Sequence, residues 1–274
     1  MGTYETLEWS VEDGIATVTM NRPDELNTMT PAFWREMPMV FAELEERMDV
    51  RVAVIRSTGR HFTAGLDLKS AGAELSASPK MDQGRAREKL RRKILQMQNT
   101  FSCIENARFP VIAAVQGGCL GAGVDLVTAC CLRYATENAY FTIQEINIAI
   151  VADVGTLQRI PHLLPQGLIR ELAYSGRKMP AGEAQTYGFL NGVDEDYDAC
   201  LKSAYDMARQ IASKSPLAIT GIKNVLNHGR GRPVEEGLNY VATWNAGMLM
   251  GEDLQKAAMA ALMKQEAEFE DLAS

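Results

Sequence analysis

Three carboxylates stand among apolar neighbours. Asp125 lies in Gly-Val-Asp-Leu-Val, Asp153 lies in Ile-Val-Ala-Asp-Val-Gly, and Glu145 falls between them. Apolar company predicts burial, and burial disfavours the ionised form, so each carboxyl needs a partner or a raised pKa. Taken alone, Asp153 reads first as a helix cap, because Gly155-Thr156-Leu157 can open a helix.

Two glycine-bearing turns change that balance. One is His61-Phe62-Thr63-Ala64-Gly65-Leu66-Asp67. The other is Gln116-Gly117-Gly118-Cys119-Leu120-Gly121-Ala122-Gly123-Val124-Asp125. Each follows an apolar strand. Small residues there let backbone N–H groups approach a ligand, and two such groups aimed at one point make an oxyanion hole. Each turn by itself reads as tight packing of helix on sheet. Neither matches the dinucleotide fingerprint or the phosphate-binding lysine loop. Turns and carboxylates together are better explained by a general acid/base pair beside an oxyanion hole.

The elements that must position these groups follow from periodicity. Residues 4–9 and 15–20 alternate and predict a hairpin turning at Asp13-Gly14. A helix is predicted from Thr30-Pro31 through Phe33, Met37, Val40, Phe41 and Leu44, with Thr30 as its cap. The runs 51–57 and 111–115 are continuously apolar, as strands buried on both faces are. Residues 70–84 are small, polar and irregular, which predicts a mobile loop. A long helix is expected over 85–107. From Asp198 the pattern turns helical, over 198–213, 216–228, 233–249 and 252–269. The chain therefore divides into an α/β core, 1–197, and a helical region, 198–274. Met248, Met250, Met259 and Met263 on the last helices read as core or subunit-contact residues. Trp244 and Tyr240, four apart, read as packing.

Composition narrows the function. The 274 residues can bury a core without disulfides or metals. Lys plus Arg is 28 against Asp plus Glu 35, a net charge of -7 that argues against general nucleic-acid binding. Cys103, Cys119, Cys130, Cys131 and Cys200 are odd in number and lack a CxxC, a reduced intracellular pattern. His61, His162 and His228 are far apart, which speaks against a zinc site. The longest apolar stretches are too short to span a bilayer. The N-terminal residues lack a signal-peptide pattern, and Asp271-Leu272-Ala273-Ser274 is not the peroxisomal tripeptide. A cytoplasmic location is the expectation.

The runs from Phe62 to Leu68 and from Gly117 to Leu126 resemble the two signature segments of the crotonase (enoyl-CoA hydratase/isomerase) superfamily. Ala152-Asp153-Val154-Gly155-Thr156-Leu157-Gln158-Arg159 resembles the Δ3,5-Δ2,4-dienoyl-CoA isomerases within it, as do Ser213-Lys214-Ser215-Pro216 and Ala242-Thr243-Trp244-Asn245. The resemblance covers about Tyr4 to Ala261. It implies a spiral of β-β-α turns and a C-terminal helical region that builds trimers, often paired into hexamers. It implies an acyl-CoA substrate whose thioester oxygen meets the N–H groups of Leu66 and Ala122. The coenzyme A path is then lined by Ala64, Gly65, Leu66, Asp67 and Leu68, and no further cofactor or metal is required. Glu145 falls where the superfamily keeps the carboxylate that handles the α-carbon proton. Asp153 falls where dienoyl isomerases have aspartate and hydratases glycine. Asp125 falls where hydratases place a second glutamate.

That pattern makes chemical sense. Two donors on the thioester oxygen stabilise an enolate. In a 3,5-diene the charge spreads from oxygen to C6, so one carboxylate takes a proton at C2 and a carboxylic acid returns one at C6. Hydration of a 2-enoyl-CoA, the alternative, needs two carboxylates on one water, and Asp125 reaches roughly 1.5 Å less far than glutamate. Three positions depart from the superfamily pattern. Cys131 stands where an aspartate is usual, Ala149 where glycine is common, and Ala122 replaces the middle glycine of the second turn. An apolar setting makes Cys131 a poor nucleophile, and Ala149 narrows the expected acyl pocket. An RNA-binding protein of the same fold is the alternative from another class, on the basic run Arg85 to Lys93. That run lacks interleaved aromatics and reads better as a solvated helix face.

Overall fold

The computed structural model describes residues 3–70 and 82–273. The centre of the expected loop, 71–81, lies outside the described residues. Strands β1 (Leu7–Glu12) and β2 (Ile15–Met20) form an antiparallel hairpin in the register Leu7↔Met20 to Glu12↔Ile15. Asp13 and Gly14 both have positive φ, 49° and 75°, the geometry a two-residue hairpin turn demands. The first strand starts three residues later than its alternation predicts. Tyr4 to Thr6 are drawn off by the next helix instead: Tyr4 bonds Glu43, and the N–H groups of Glu5 and Thr6 bond the buried Glu36 carboxylate.

That helix, α1 (Pro31–Glu46), begins with proline at its first turn, as expected. Thr30 occupies the cap position, but its side chain makes no cap bond. After it come β3 (Val52–Ser57), α2 (Gln83–Asn106), β4 (Val111–Val115), β5 (Gly118–Leu120) and α3 (Ala122–Ala129). Then follow β6 (Leu132–Thr136), β7 (Tyr140–Thr142), α4 (Thr156–Arg159), α5 (Gln166–Ser175), β8 (Met179–Pro180), α6 (Ala181–Thr186) and β9 (Gly192–Asp194). The large sheet has the order β1-β2-β3-β4-β6-β9, parallel from β2 onward. The small sheet has the order β5-β7-β8. At β4–β5 and again at β6–β7 the chain steps directly from the large sheet to the small one. These steps are the repeating strand–strand–helix passes; the second glycine turn sits on the first of them, and the first glycine turn follows β3.

The large sheet is covered on both faces, which explains why its central strands read as unbroken apolar runs. Ala53, Ile55, Val111, Ala113 and Val115 face one core with Phe33, Met37, Phe41 and Leu126. Val52, Val54, Ile112 and Ala114 face a second core closed by α7 (Tyr197–Ala212). That helix presents Cys200, Ala204, Ala208 and Ala212 at four-residue spacing, a stripe small enough to lie close on the strands.

Three helices follow: α8 (Pro216–Gly229), α9 (Val234–Met248) and α10 (Glu252–Met263). Ser215 caps α8 by accepting from the N–H of Ala218. Trp244 packs against the bare face of Gly221, and Tyr240 stacks on His228 at 3.9 Å, so both aromatics hold α8 to α9 as their spacing predicts. The last helix stops at Met263 rather than continuing to 269. Lys264 turns left-handed (φ 55°), and the N–H of Gln265 reaches back to Ala260 O at 2.9 Å. The tail then runs to Arg51, which bonds the Phe269 carbonyl and the Asp271 carboxylate. Among the described residues no helix is long and apolar enough to cross a membrane.

Candidate active site

The two glycine turns are stitched to each other by their backbones. Phe62 N–H donates to Gln116 O at 2.8 Å, Thr63 N–H to Gly118 O, and Leu120 N–H to Thr63 O, both at 3.1 Å. His61 adds a side-chain bond: its Nδ1 accepts from Gly118 N–H at 2.9 Å. Burial, with Arg60 and Lys178 nearby, lowers the His61 pKa and so favours the neutral ring that can accept this bond. Gly65 (φ 81°) lets the turns touch. A Cβ there would meet Leu120 O at 2.5 Å and would lie 3.4 Å from Ala122 N.

Among the described residues, this stitching leaves the N–H groups of Leu66 and Ala122 unspent. Met29 N–H donates to Gly65 O and Asp67 N–H donates to Met29 O, so the bridge uses the groups on either side of Leu66 and not its own N–H. Ala122 is the first residue of α3, and its N–H has no partner one turn back. Of the expected coenzyme A path, Gly65 is buried, Ala64 and Leu66 are half-buried, and Leu68 is exposed. Asp67 is engaged locally: it accepts from Ser70 N–H at 2.8 Å and from Thr28 Oγ1 at 3.1 Å, which lowers its pKa.

The three carboxylates converge from three elements. Asp125 is wholly buried on α3, and its Oδ1 accepts from Thr156 N–H at 2.5 Å. Glu145 follows β7 on a 3-10 turn, Gln144–Ile148, that ends with Ala149 left-handed at φ 59°. Its Oε1 would stand 3.5 Å from a Cβ on Gly121, the residue that opens α3. Asp125 Oδ2 and Glu145 Oε2 are both buried without a hydrogen-bond partner among the described residues. Asp153 departs from expectation. Ala152 and Val154 are buried while Asp153 is exposed, because the segment is extended there and alternate side chains face opposite ways. It caps no helix; Gly155 holds the cap position of α4.

All three carboxyl groups bind protons more tightly than usual. Burial is the main cause for Asp125, whose pKa is raised to about 6, with the Thr156 hydrogen bond and the Arg159 charge pulling the other way. Burial again leads for Glu145, raised to about 7, and the negative charge of Asp125 adds to it. The Asp153 pKa is raised by partial burial, and its charge raises both of the others. Three carboxyl groups close enough to influence one another therefore hold protons near neutrality, a constellation suited to moving protons.

Two groups here were not singled out from the sequence, Thr156 and Arg159. Thr156 carried a signal, a polar residue directly after a glycine in an apolar stretch; Arg159, four residues after that glycine, carried none. Burial holds two nearby thiols protonated, pushing Cys119 far above its ordinary value and Cys130 up to about 12. On α2, Arg85 pairs with Asp82, and Arg91 and Arg92 pair with Glu88, all at exposed positions.

Comparison with known proteins agrees with this geometry. Residues 10–272 match the family described as enoyl-CoA hydratase/isomerase. A peroxisomal Delta(3,5)-Delta(2,4)-dienoyl-CoA isomerase from Arabidopsis thaliana is 41% identical, covering 99% of both chains. A mitochondrial protein of the same name from Mus musculus is 42% identical over 96% of this chain and 81% of its own. The crystal structure of an enoyl-CoA hydratase from Bacillus anthracis superposes with a TM-score of 0.87 at 26% identity, covering 97% of this chain and 99% of that one. The expectation of a cytoplasmic location is overturned by these relatives, which are peroxisomal and mitochondrial. An unpaired set of thiols records only a reducing compartment, and that was too coarse a guide. With its matched length, its strand–strand–helix passes and its paired glycine turns, the chain has the crotonase fold and belongs to the enoyl-CoA hydratase/isomerase family.

Proposed function

We propose that this protein shifts the double bonds of an unsaturated fatty acyl-CoA, converting a 3,5-dienoyl-CoA to the 2,4-dienoyl isomer. The observation that supports the reading is three mutually influencing, proton-retaining carboxyl groups, with Glu145 against Gly121 at the start of α3. In this reading the N–H groups of Leu66 and Ala122 hold the thioester oxygen. Residues 64–68 line the coenzyme A path, with Asp67 bracing its turn. Glu145, with a pKa near neutrality, takes the C2 proton. The electron pair of that C–H bond forms C2=C3, C3=C4 moves to C4=C5, and the C5=C6 pair takes a proton from Asp153 at C6. Exposure suits Asp153 to recover its proton from water, while Glu145 releases one. Asp125, fixed by Thr156, raises the proton affinity of Glu145. Coenzyme A belongs to the substrate, and the reaction needs no other cofactor. Exposed Ile146, Ile148, Ile150 and Val151 between the two proposed proton carriers suit a hydrocarbon chain.

The assembly is part of the proposal. Residues 1–197 form the acyl-CoA-binding spiral together with α7, which the 198–274 division sets apart but which closes the second core, and the later helices within 198–274 make the contacts of a homotrimer or a homohexamer. In support, α9 and α10 bury none of their residues within the chain, while Val234, Leu238, Met250 and Leu262 are largely exposed.

Purified protein mixed with a 3,5-dienoyl-CoA tests the activity. Conjugation of the new diene with the thioester moves ultraviolet absorbance to longer wavelength. No spectral change, together with rapid hydration of a 2-enoyl-CoA, would transfer the assignment to the hydratase.

A further inference from the structure

The 153–156 segment is fastened at every residue. Asp153 O accepts from Gln98 Nε2 at 2.7 Å. Val154 O accepts from Arg159 Nη1 at 3.4 Å, and Gly155 O accepts from Arg159 N–H at 3.0 Å. Thr156 N–H ends the run on Asp125. The Arg159 guanidinium thus holds the Val154 carbonyl, between Asp153 and the Asp125 contact, while the Gly155 carbonyl takes the backbone N–H that opens α4.

The guanidinium is itself locked. Its Nε is 2.9 Å from Glu105 Oε2, its Nη2 donates to Ser102 Oγ at 3.1 Å, and Glu105 also pairs with Arg230. Only 9% of Arg159 is exposed. It lies against Gly155 so closely that any Cβ there would run into Nη1, and Gly155 holds φ at 135°. A planar fork is required to serve Glu105, Ser102 and Val154 O at once, and a lysine ammonium cannot supply it.

We infer that Arg159 is a positioning residue: it fixes the 153–156 segment so that Asp153 stands at its reacting distance while Asp125 stays bonded to Thr156. The inference rests on the roles given above to Asp153 and Asp125. Its charge also favours ionised Asp125. Position and charge can be separated by substitution, and a cleft of about 400 Å³ lined by Gln98, Ser102 and Arg159 leaves room for altered side chains.

The experiment uses the full-length protein and a 3,5-dienoyl-CoA. It follows isomerisation by absorbance and, separately, entry of solvent deuterium at C2. Arg159→Lys keeps the charge and loses the fork. It should lower kcat at least about tenfold, because small misplacements of a proton donor are costly, with KM within about twofold. C2 exchange and the acid limb of the rate should stay near wild type. Arg159→Met loses the charge as well, so Asp125 holds its proton more tightly, and kcat should fall at least as far as in Arg159→Lys. Ser102→Ala, which removes one prop, should show a weaker form of the lysine pattern.

A lower Tm with unchanged kcat in all three variants overturns the inference, since a purely structural arginine would behave so. A raised KM with kcat retained overturns it too. If Arg159→Met does not fold, the lysine and Ser102 variants decide by the same criteria. A wild-type protein that leaves the diene unchanged refutes the isomerase reading instead. Protection of the Thr156 N–H from hydrogen exchange then judges Arg159: it must fall in Arg159→Lys and Arg159→Met, and protection like that of the wild type overturns the inference.

Discussion

The N–H of Thr156 lies 2.5 Å from Oδ1 of Asp125, and through that bond the loop bearing Asp153 is tied to the helix that begins at Ala122. One end of α3 offers a donor to the substrate oxygen in our reading, and its first turn accepts the donor of the loop. A shift in either element is therefore felt by both.

Asp153→Asn separates the two proton transfers. The amide keeps the shape of the side chain but relays no proton. Exchange at C2 should persist, because Glu145 and the N–H pair remain. Isomerisation should fall by about 10²–10⁴-fold. Deuterium incorporation by NMR beside the absorbance assay reads both. Near-normal isomerisation would remove Asp153 from the mechanism.

Glu145 makes stability depend on pH in a fixed direction. The unfolded side chain ionises near its ordinary 4.5, while the folded one keeps its proton to about 7. Between those values the folded state binds more protons, so this group's contribution falls as pH rises from about 4.5 through about 7, and stays low above. Glu145→Gln removes that penalty. It should raise Tm more at pH 8 than at pH 5, while abolishing both exchange and isomerisation. Equal Tm changes at the two pH values would show that the group titrates normally.

Gly155→Ala tests the fit between the glycine and the guanidinium. The new methyl must displace Arg159, and alanine is strained at φ 135°. A cost above about 2 kcal/mol is expected, or a Tm lower by about 4–8 °C, on the scale for chains of this size. Calorimetry measures it. An unchanged Tm would mean that the loop rearranges freely.

The proposed assembly is tested on two exposed apolar side chains. Met250 is 87% exposed and Leu262 83% exposed in the single chain. If they lie between subunits, Met250→Asp or Leu262→Asp should convert a trimer or hexamer into smaller species by light scattering, with circular dichroism retained. A wild-type protein that is monomeric at micromolar concentration would refute the assembly outright.

Periodicity and turn chemistry made most elements legible in the sequence. The 52–57 and 111–115 strands, α1, α2 and the C-terminal helices lie within a few residues of expectation. What misled was local. The first strand slipped by three residues because register is set at the Asp13-Gly14 turn, while Glu36, distant in sequence, claims Glu5 and Thr6. Apolar neighbours predicted a buried Asp153, yet alternation in an extended segment turned it outward. The end of α10 was hidden because Lys264 does not announce a left-handed residue as glycine would. Arg159 was invisible as a brace because its partners, Ser102 and Glu105, lie more than fifty positions away.

Helix α7, which closes the second face of the large sheet, also sets a schedule for biosynthesis. The strands carrying Val52, Val54, Ile112 and Ala114 leave the ribosome well before Tyr197–Ala212 does. At about 5–20 residues per second, the nascent sheet waits several seconds with an apolar face uncovered. During that interval the chain is a client for holding chaperones, and a pause in translation ahead of Tyr197 would lengthen its exposure. Slowing codons upstream of that helix should therefore lower soluble yield without changing one residue of the product.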